Sequence, residues 1–400
     1  MARTGLGRDF WIFWSGETIS NLGSSITQFA IPLLVYKLTG SALFLGIGFA
    51  AAIVPNLLFG LLIGALVDRV DRKRLMIATD LLRAVVVISI PLAAGGGLLS
   101  VGWLYVAVFL TSTLSIFFDG AEFAAVPSLV GDRDIIEANG RIQASYAAAS
   151  VIGPLAAGAL LVLVPVEWLL LADALSFVVS AVALAFVARS FNRQAPAGEP
   201  TSIWADVMEG LRYVLRDPVL RSISLMMAII NVVSVTTYAQ IVLFAKERYA
   251  ASDAEVGLLY ASGGVGVVVC SLLAGPLRRR WRFRTVALGA LMLDGLLLAG
   301  LPLAPTLLFA LPLWAFAIGA GNLFNINTGS LRQSLVPDRL LGRVISVARV
   351  LAWSAQPVGA VVGGIVVERS GNISLVYAVL GLLVFLVAFA FRIASPLGRA

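Results

Sequence analysis

Glu17, Asp80, Asp119, Asp173 and Asp294 fall inside long apolar runs, together with one residue of opposite sign, Arg83. An ionisable side chain in such a run is expensive to bury and serves function or pairing by default. A carboxyl group screened from water can alternate between holding a proton and answering another ligand, which is the elementary chemistry of ion-coupled work. Asp80 and Arg83 stand three apart, a spacing at which helical side chains meet, and are read as a structural ion pair. Asp173 is open to a solvated, capping or coupling role. Other chemistries are excluded. The chain has no histidine, and its one cysteine, Cys270, lies in the apolar run GVGVVVCSLLAG. His-based triads, zinc clusters and an internal disulfide are therefore impossible. No phosphate-binding loop or haem ligand set is visible, so neither an enzyme nor a cofactor is expected.

The elements that must position these residues follow from composition. Of 400 residues, 60% are apolar and 13% charged, about half the charge of an ordinary globular chain. The mean hydropathy is +0.96. This is the balance of an all-α polytopic membrane protein. Windows of about 20 apolar residues give twelve spans, at 10–36, 41–67, 75–96, 101–124, 141–164, 168–189, 220–245, 254–277, 285–303, 306–329, 344–367 and 372–393. The runs are too long and too little alternating for barrel strands. The tenth is the least regular, with Asn322, Asn325 and Asn327 crowding its end. With the N-terminus placed in the cytoplasm, 23 of the 29 Lys and Arg fall on that side and 4 on the other. The expectation is a multi-pass protein of the cell membrane with both termini cytoplasmic. The net charge of +7 thereby marks topology, and no nucleic-acid partner is expected. No cleavable signal peptide is expected either, since Glu17 and Asn21 interrupt the first run.

The longest polar stretch divides the chain near its middle. Residues 1–190 and 220–400 are read as two six-helix halves, and 191–219 as a cytoplasmic linker. Within the linker, Ile203, Val207, Met208, Leu211, Val214 and Leu215 recur at helical spacing. They predict an amphipathic helix that either lies at the membrane interface or packs on the bundle floor. The halves also repeat. Ser128-Leu-Val-Gly-Asp-Arg133 and Ser334-Leu-Val-Pro-Asp-Arg339 match at an offset of 206, and Gly153 and Gly158 meet Gly359 and Gly364 at the same offset. Duplicated six-helix halves build transporters that rock about a mid-membrane site.

The segment Gly64-Ala-Leu-Val-Asp68-Arg69-Val-Asp71-Arg72-Lys73-Arg74 joins the second and third spans. It resembles motif A of the major facilitator superfamily through Gly64, Asp68, Arg69, Arg72 and Lys73, with Asp71 where the family usually has Gly. The resemblance implies a cytoplasmic gate in which Asp68 meets the start of helix eleven near Leu341–Ile345, and Asp119 is a plausible partner for Arg72. Gly153-Pro154-Leu-Ala-Ala-Gly158, with Gly140 upstream, resembles the antiporter motif C, with Ala149 and Ala157 in place of glycines. Small residues at such spacing allow tight helix crossings. The opening Phe10-Trp11 to Gly40, Asp80-Leu-Leu-Arg83, Gly210-Leu-Arg-Tyr213 and Leu331 to Asp338 resemble the drug and siderophore exporter branch.

Family behaviour implies that the first helix of each half lines the cavity. Glu17, Asn21 and Gln28 share one face of the first, which makes Glu17 the leading candidate for proton coupling. Asn231 faces inward by symmetry, and Asp294 is a weaker candidate because its helix is peripheral in this fold. The expected function is proton-coupled export of hydrophobic or amphiphilic small molecules by a monomer, with protons and the lipid bilayer as its other partners. An uptake or facilitative carrier for a lipid-like solute, and a non-transporting receptor or scaffold, are the alternatives.

Overall fold

The computed structural model describes residues 6–67, 70–131, 134–192 and 203–398. In lipid every peptide group must find its partner within the chain, and the described residues are accordingly helical nearly throughout. The first predicted spans appear as α1 (Arg8–Thr39), α2 (Ala42–Val67), α3 (Arg72–Gly95), α4 (Val101–Val130), α5 (Ile135–Leu160) and α6 (Val166–Phe186). The amphipathic α7 (Ile203–Arg216) follows. Beyond it come α8 (Pro218–Ala239), α9 (Ile241–Tyr249), α10 (Asp253–Arg280), α11 (Gly289–Gly300), α12 (Leu307–Leu335), α13 (Asp338–Trp353), α14 (Gln356–Ser370) and α15 (Ile373–Ala394). Ten segments among the described residues are long and apolar enough to cross a membrane. The other two predicted crossings, α1 and α5, have 32 and 26 residues but carry more polar side chains.

Local chemistry sets the boundaries. Asp71 caps α3 by accepting from Arg74 N at 2.9 Å, and Ser252 with Glu255 forms a capping box on α10. Asp217 caps α8, whose first turn opens on Pro218. Gly40 and Gly371 close α1 and α14 in the left-handed conformation, each with φ 60°. Two predicted spans are each broken into two helices. The seventh breaks at Gln240, between α8 and α9, and the eleventh between α13 and α14, where Pro357 cannot donate to the preceding turn. The ninth begins on a π-helical turn, Arg284–Leu288.

The chain forms two compact units: residues 1–40 with 51–196, and residues 41–50 with 197–400. In the first, α1 packs on α5 and α6, and α3 on α4 and α6. In the second, α10 packs on α12, α11 on α15, α8 on α14 and α7 on α13. The crossings are close because they use small residues. A Cβ at Gly153 of α5 would lie 3.2 Å from the Ser25 carbonyl carbon and 3.3 Å from Ile26 N on α1. In the second unit, a Cβ at Gly359 of α14 would lie 2.7 Å from Val232 O on α8. Gly153 and Gly359 are 206 positions apart, and so are Ile26 and Val232. The repeat read in the sequence is thus a repeat of helix crossings. Gly140, by contrast, is exposed and has nothing within 4 Å of its Cβ position. It belongs to no tight crossing, contrary to the motif reading.

The α1–α5 crossing is testable. Gly153→Val overpacks it and costs about 1–3 kcal/mol, whereas Gly140→Ala leaves stability unchanged or slightly raised. Thermal unfolding of the detergent-solubilised variants compares the two, and equal melting temperatures would contradict the close contact.

Candidate functional site

The first unit gathers the embedded charges. Glu17 projects from α1 and is 2% exposed; Glu122 projects from α4 and is 7% exposed. Their carboxyl groups face each other, with Asn21 and Tyr146 alongside and the charge of Asp119 acting on both. Among the described residues, no hydrogen bond of good geometry reaches either Glu17 oxygen, and Asn21 Nδ2 finds no acceptor of good geometry, although it and Tyr146 lie beside Glu17. Two facing carboxylates repel each other unless one of them holds a proton and so becomes a donor to the other. Asp119, three residues before Glu122, is exposed. The cluster therefore has two sequestered carboxyls and one that solvent can reach.

Sequence reasoning passed over Glu122. Hydropathy ends the fourth span at 124, which leaves this residue at the membrane edge. In fact α4 continues to Val130, so Glu122 lies two turns inside the helix. The usable signal was its i,i+3 spacing from Asp119.

Arg83 lies beside this cluster. Its Nη2 donates to Asp80 Oδ1 and its Nη1 to Ser115 Oγ at 3.4 Å. The guanidinium is sandwiched between Phe118 and Phe177, at 4.5 and 4.4 Å from the ring centroids. Its charge also acts on Asp119 and Asp173. Asp119, within α4, is therefore set against Arg83 and not against Arg72, the partner expected for it. Asp173 is neither solvated nor a cap. It is 1% exposed, and it accepts hydrogen bonds from Thr27 Oγ1 and, at 3.5 Å, Ser24 Oγ of α1. Ser176 Oγ adds a third at 3.3 Å. It ties α6 to α1.

Gln28 shares the Glu17 face but lies eleven residues further on, about 16 Å along the helix, and is exposed. It takes no part in the cluster. Asn231 Nδ2 donates to Ala352 O at 2.9 Å, which satisfies a carbonyl left open in the last turn of α13. Asp294 is buried on α11 in the second unit. Its Oδ2 lies 3.5 Å from where a Gly321 Cβ would be, and its charge acts on Tyr238. Glu17 and Asp294 thus belong to different units. Of the antiporter-like segment, Gly153, Pro154 and Gly158 are buried.

Asp68 and Arg69 lie outside the described residues, as do the surroundings of Gly64. The rest of that loop is defined. Arg72 Nη1 donates to Ala124 O at 3.1 Å and Phe191 O at 3.2 Å. Lys73 Nζ donates to Ala185 O at 3.1 Å and Val187 O at 2.7 Å. Arg189 Nη1 reaches Leu129 O at 2.5 Å. Lys73 and Arg189 thus sit at the C-terminal ends of α6 and α4, where helix carbonyls lack partners and the dipole is negative, while Arg72 joins a carbonyl within α4 to one in the segment after α6.

Comparison with known proteins agrees with this architecture. The family model described as "Transmembrane secretion effector" matches residues 7–397. Macrolide efflux protein A of Streptococcus pyogenes is 23% identical over 366 residues, 90% of each chain. The multidrug efflux pump Tap of Mycolicibacterium fortuitum is 28% identical over 369 residues, 87% of each chain. Among solved structures, the nucleoside transporter NupG superposes with a TM-score of 0.78 at 12% identity, over 95% of this chain and 98% of that one. With a duplicated bundle of membrane helices and a family match over almost its whole length, the chain belongs to the transmembrane secretion effector family of major facilitator superfamily transporters.

Proposed function

We propose that this protein is a proton-coupled exporter of hydrophobic or amphiphilic small molecules. The observation that carries the reading is the facing pair Glu17 and Glu122, both buried, beside Asp119. One proton placed between the two carboxyls turns one of them into a donor to the other. Its loss leaves two like charges face to face in a medium that screens them poorly. Occupancy by a proton therefore changes the energy of this part of the first unit. A site of that kind can bias a two-state cycle. Asp119 offers the route by which the proton arrives, and Arg83 limits the negative field of the group.

Its relatives, a macrolide efflux protein and a multidrug efflux pump, support export over uptake and a broad amphiphilic substrate class. We further propose a cell-membrane location with both termini in the cytoplasm, on the Lys and Arg bias. The halves 1–190 and 220–400 act as the two bodies of an alternating-access cycle.

In proteoliposomes, substrate efflux should follow an imposed pH gradient and stop when a protonophore collapses it. Transport that proceeds undiminished without the gradient refutes proton coupling. Glu17→Gln and Glu122→Gln should each reduce gradient-driven efflux by at least about tenfold, a loss of about 1.4 kcal/mol or more. The double variant should be no worse than the worse single one, because the two carboxyls act as a unit. Additive losses would show that they act separately.

A further inference from the structure

The second unit carries a groove of about 850 Å³ between α7, the start of α8 and Leu340 of α13. Its residues sort into two kinds. Met208, Pro218 and Leu340 make an apolar lining, while Arg212 and Arg216 stand one helical turn apart on α7. Both arginines are exposed, and neither makes a hydrogen bond or ion pair with a described residue. Two acids also line the groove, and both are already answered. Glu209 is paired with Arg343. Asp217 Oδ1 accepts from Val219 N and Leu220 N, each at 2.8 Å, as the cap of α8. The nearby Arg221 is engaged as well, donating to Leu215 O at 3.3 Å. What the groove presents outward is therefore positive charge over an apolar lining.

Its depth is set by the chain. The membrane-spanning α8 begins at Pro218, directly after α7, so the groove lies where a span meets the headgroup layer. On the same helix Met208 and Leu215 are about half exposed while Val214 is buried against α13. α7 thus turns one side to the protein and offers apolar side chains on the other, as an interfacial helix does.

We propose that this groove binds an anionic phospholipid, with the phosphate between Arg212 and Arg216 and an acyl chain along Met208, Pro218 and Leu340. The charge complementarity selects an anionic headgroup. The apolar lining selects a molecule with a tail over inorganic phosphate or a soluble nucleotide. Because α7 packs on α13 through Gly210, where a Cβ would lie 2.9 Å from Arg343 O, the bound lipid holds the α7–α13 pair at the bilayer surface. Transport then responds to the anionic lipid content of the membrane. The site is separate from the Glu17 cluster and stands whether or not that cluster carries the proton.

Native mass spectrometry of the full-length detergent-solubilised protein, titrated with phosphatidylglycerol or phosphatidylcholine, tests the site. The unaltered protein should prefer phosphatidylglycerol. Arg212→Gln and Arg216→Gln should each weaken its binding about fivefold, and together roughly 25-fold, with phosphatidylcholine binding unchanged. Arg279→Gln, at the exposed end of α10, is the control and should have no effect. On the unaltered protein, rising salt should weaken phosphatidylglycerol binding selectively, a measurement that holds even if the double variant does not fold. Equal binding of the two lipids, an equal loss in Arg279→Gln, or salt independence would overturn the proposal. Full displacement by millimolar inorganic phosphate would reassign the groove to a phosphate site and overturn the lipid assignment.

Discussion

A bilayer core offers a peptide group no hydrogen-bond partner, and side chains of this chain answer that deficit at several points where a helix ends or breaks. The break between α8 and α9 leaves carbonyls open. Tyr377 OH takes one, Thr237 O, at 2.6 Å, while its ring stacks on Phe244 at 4.2 Å. Asn231 does the same for the end of α13. At the ends of α4 and α6 the partners are Arg189 and Lys73, whose charge also suits the negative end of a helix. Two residues that read in sequence as gating or topogenic are thus also partners for orphan carbonyls.

Against that background the Glu17–Glu122 pair is distinctive. Two other embedded acids of the first unit have partners: Asp173 has three hydroxyls and Asp80 has Arg83 on one oxygen. Among the described residues, Glu17 is the embedded acid with both oxygens buried and without a hydrogen bond of good geometry. That deficit, beside a second buried carboxyl, is the ground on which the pair is proposed as the proton site.

The duplication separates packing from chemistry. Gly153 and Gly359 make equivalent crossings in their own units, so the repeat preserves the geometry of the bundle. At the same offset of 206, however, Glu17 and Glu122 correspond to Ile223 and Thr328, and Asp173 to Val379. The acid cluster belongs to one half only. The interfacial groove is likewise peculiar to the second unit, because α7 precedes that half and packs on its α13.

Composition, the spacing of apolar runs and the bias of Lys and Arg were enough to determine the class, the twelve crossings and the internal repeat. Those properties are set by what lipid excludes, and exclusion acts on stretches of sequence one at a time. The amphipathic 203–216 segment and the Asp80–Arg83 pair were legible for the same reason, since both are periodicities within one helix. Glu122 was hidden because the end of α4 depends on a cap and a terminal turn, not on hydropathy. Whether Asp119 meets Arg72 or Arg83, whether Gly140 touches anything, and which oxygens lack a donor depend on residues far apart in the chain. Only the packing of helices against one another decided them, because a contact between helices is set by their crossing and register, and neither is written into the sequence of either helix alone.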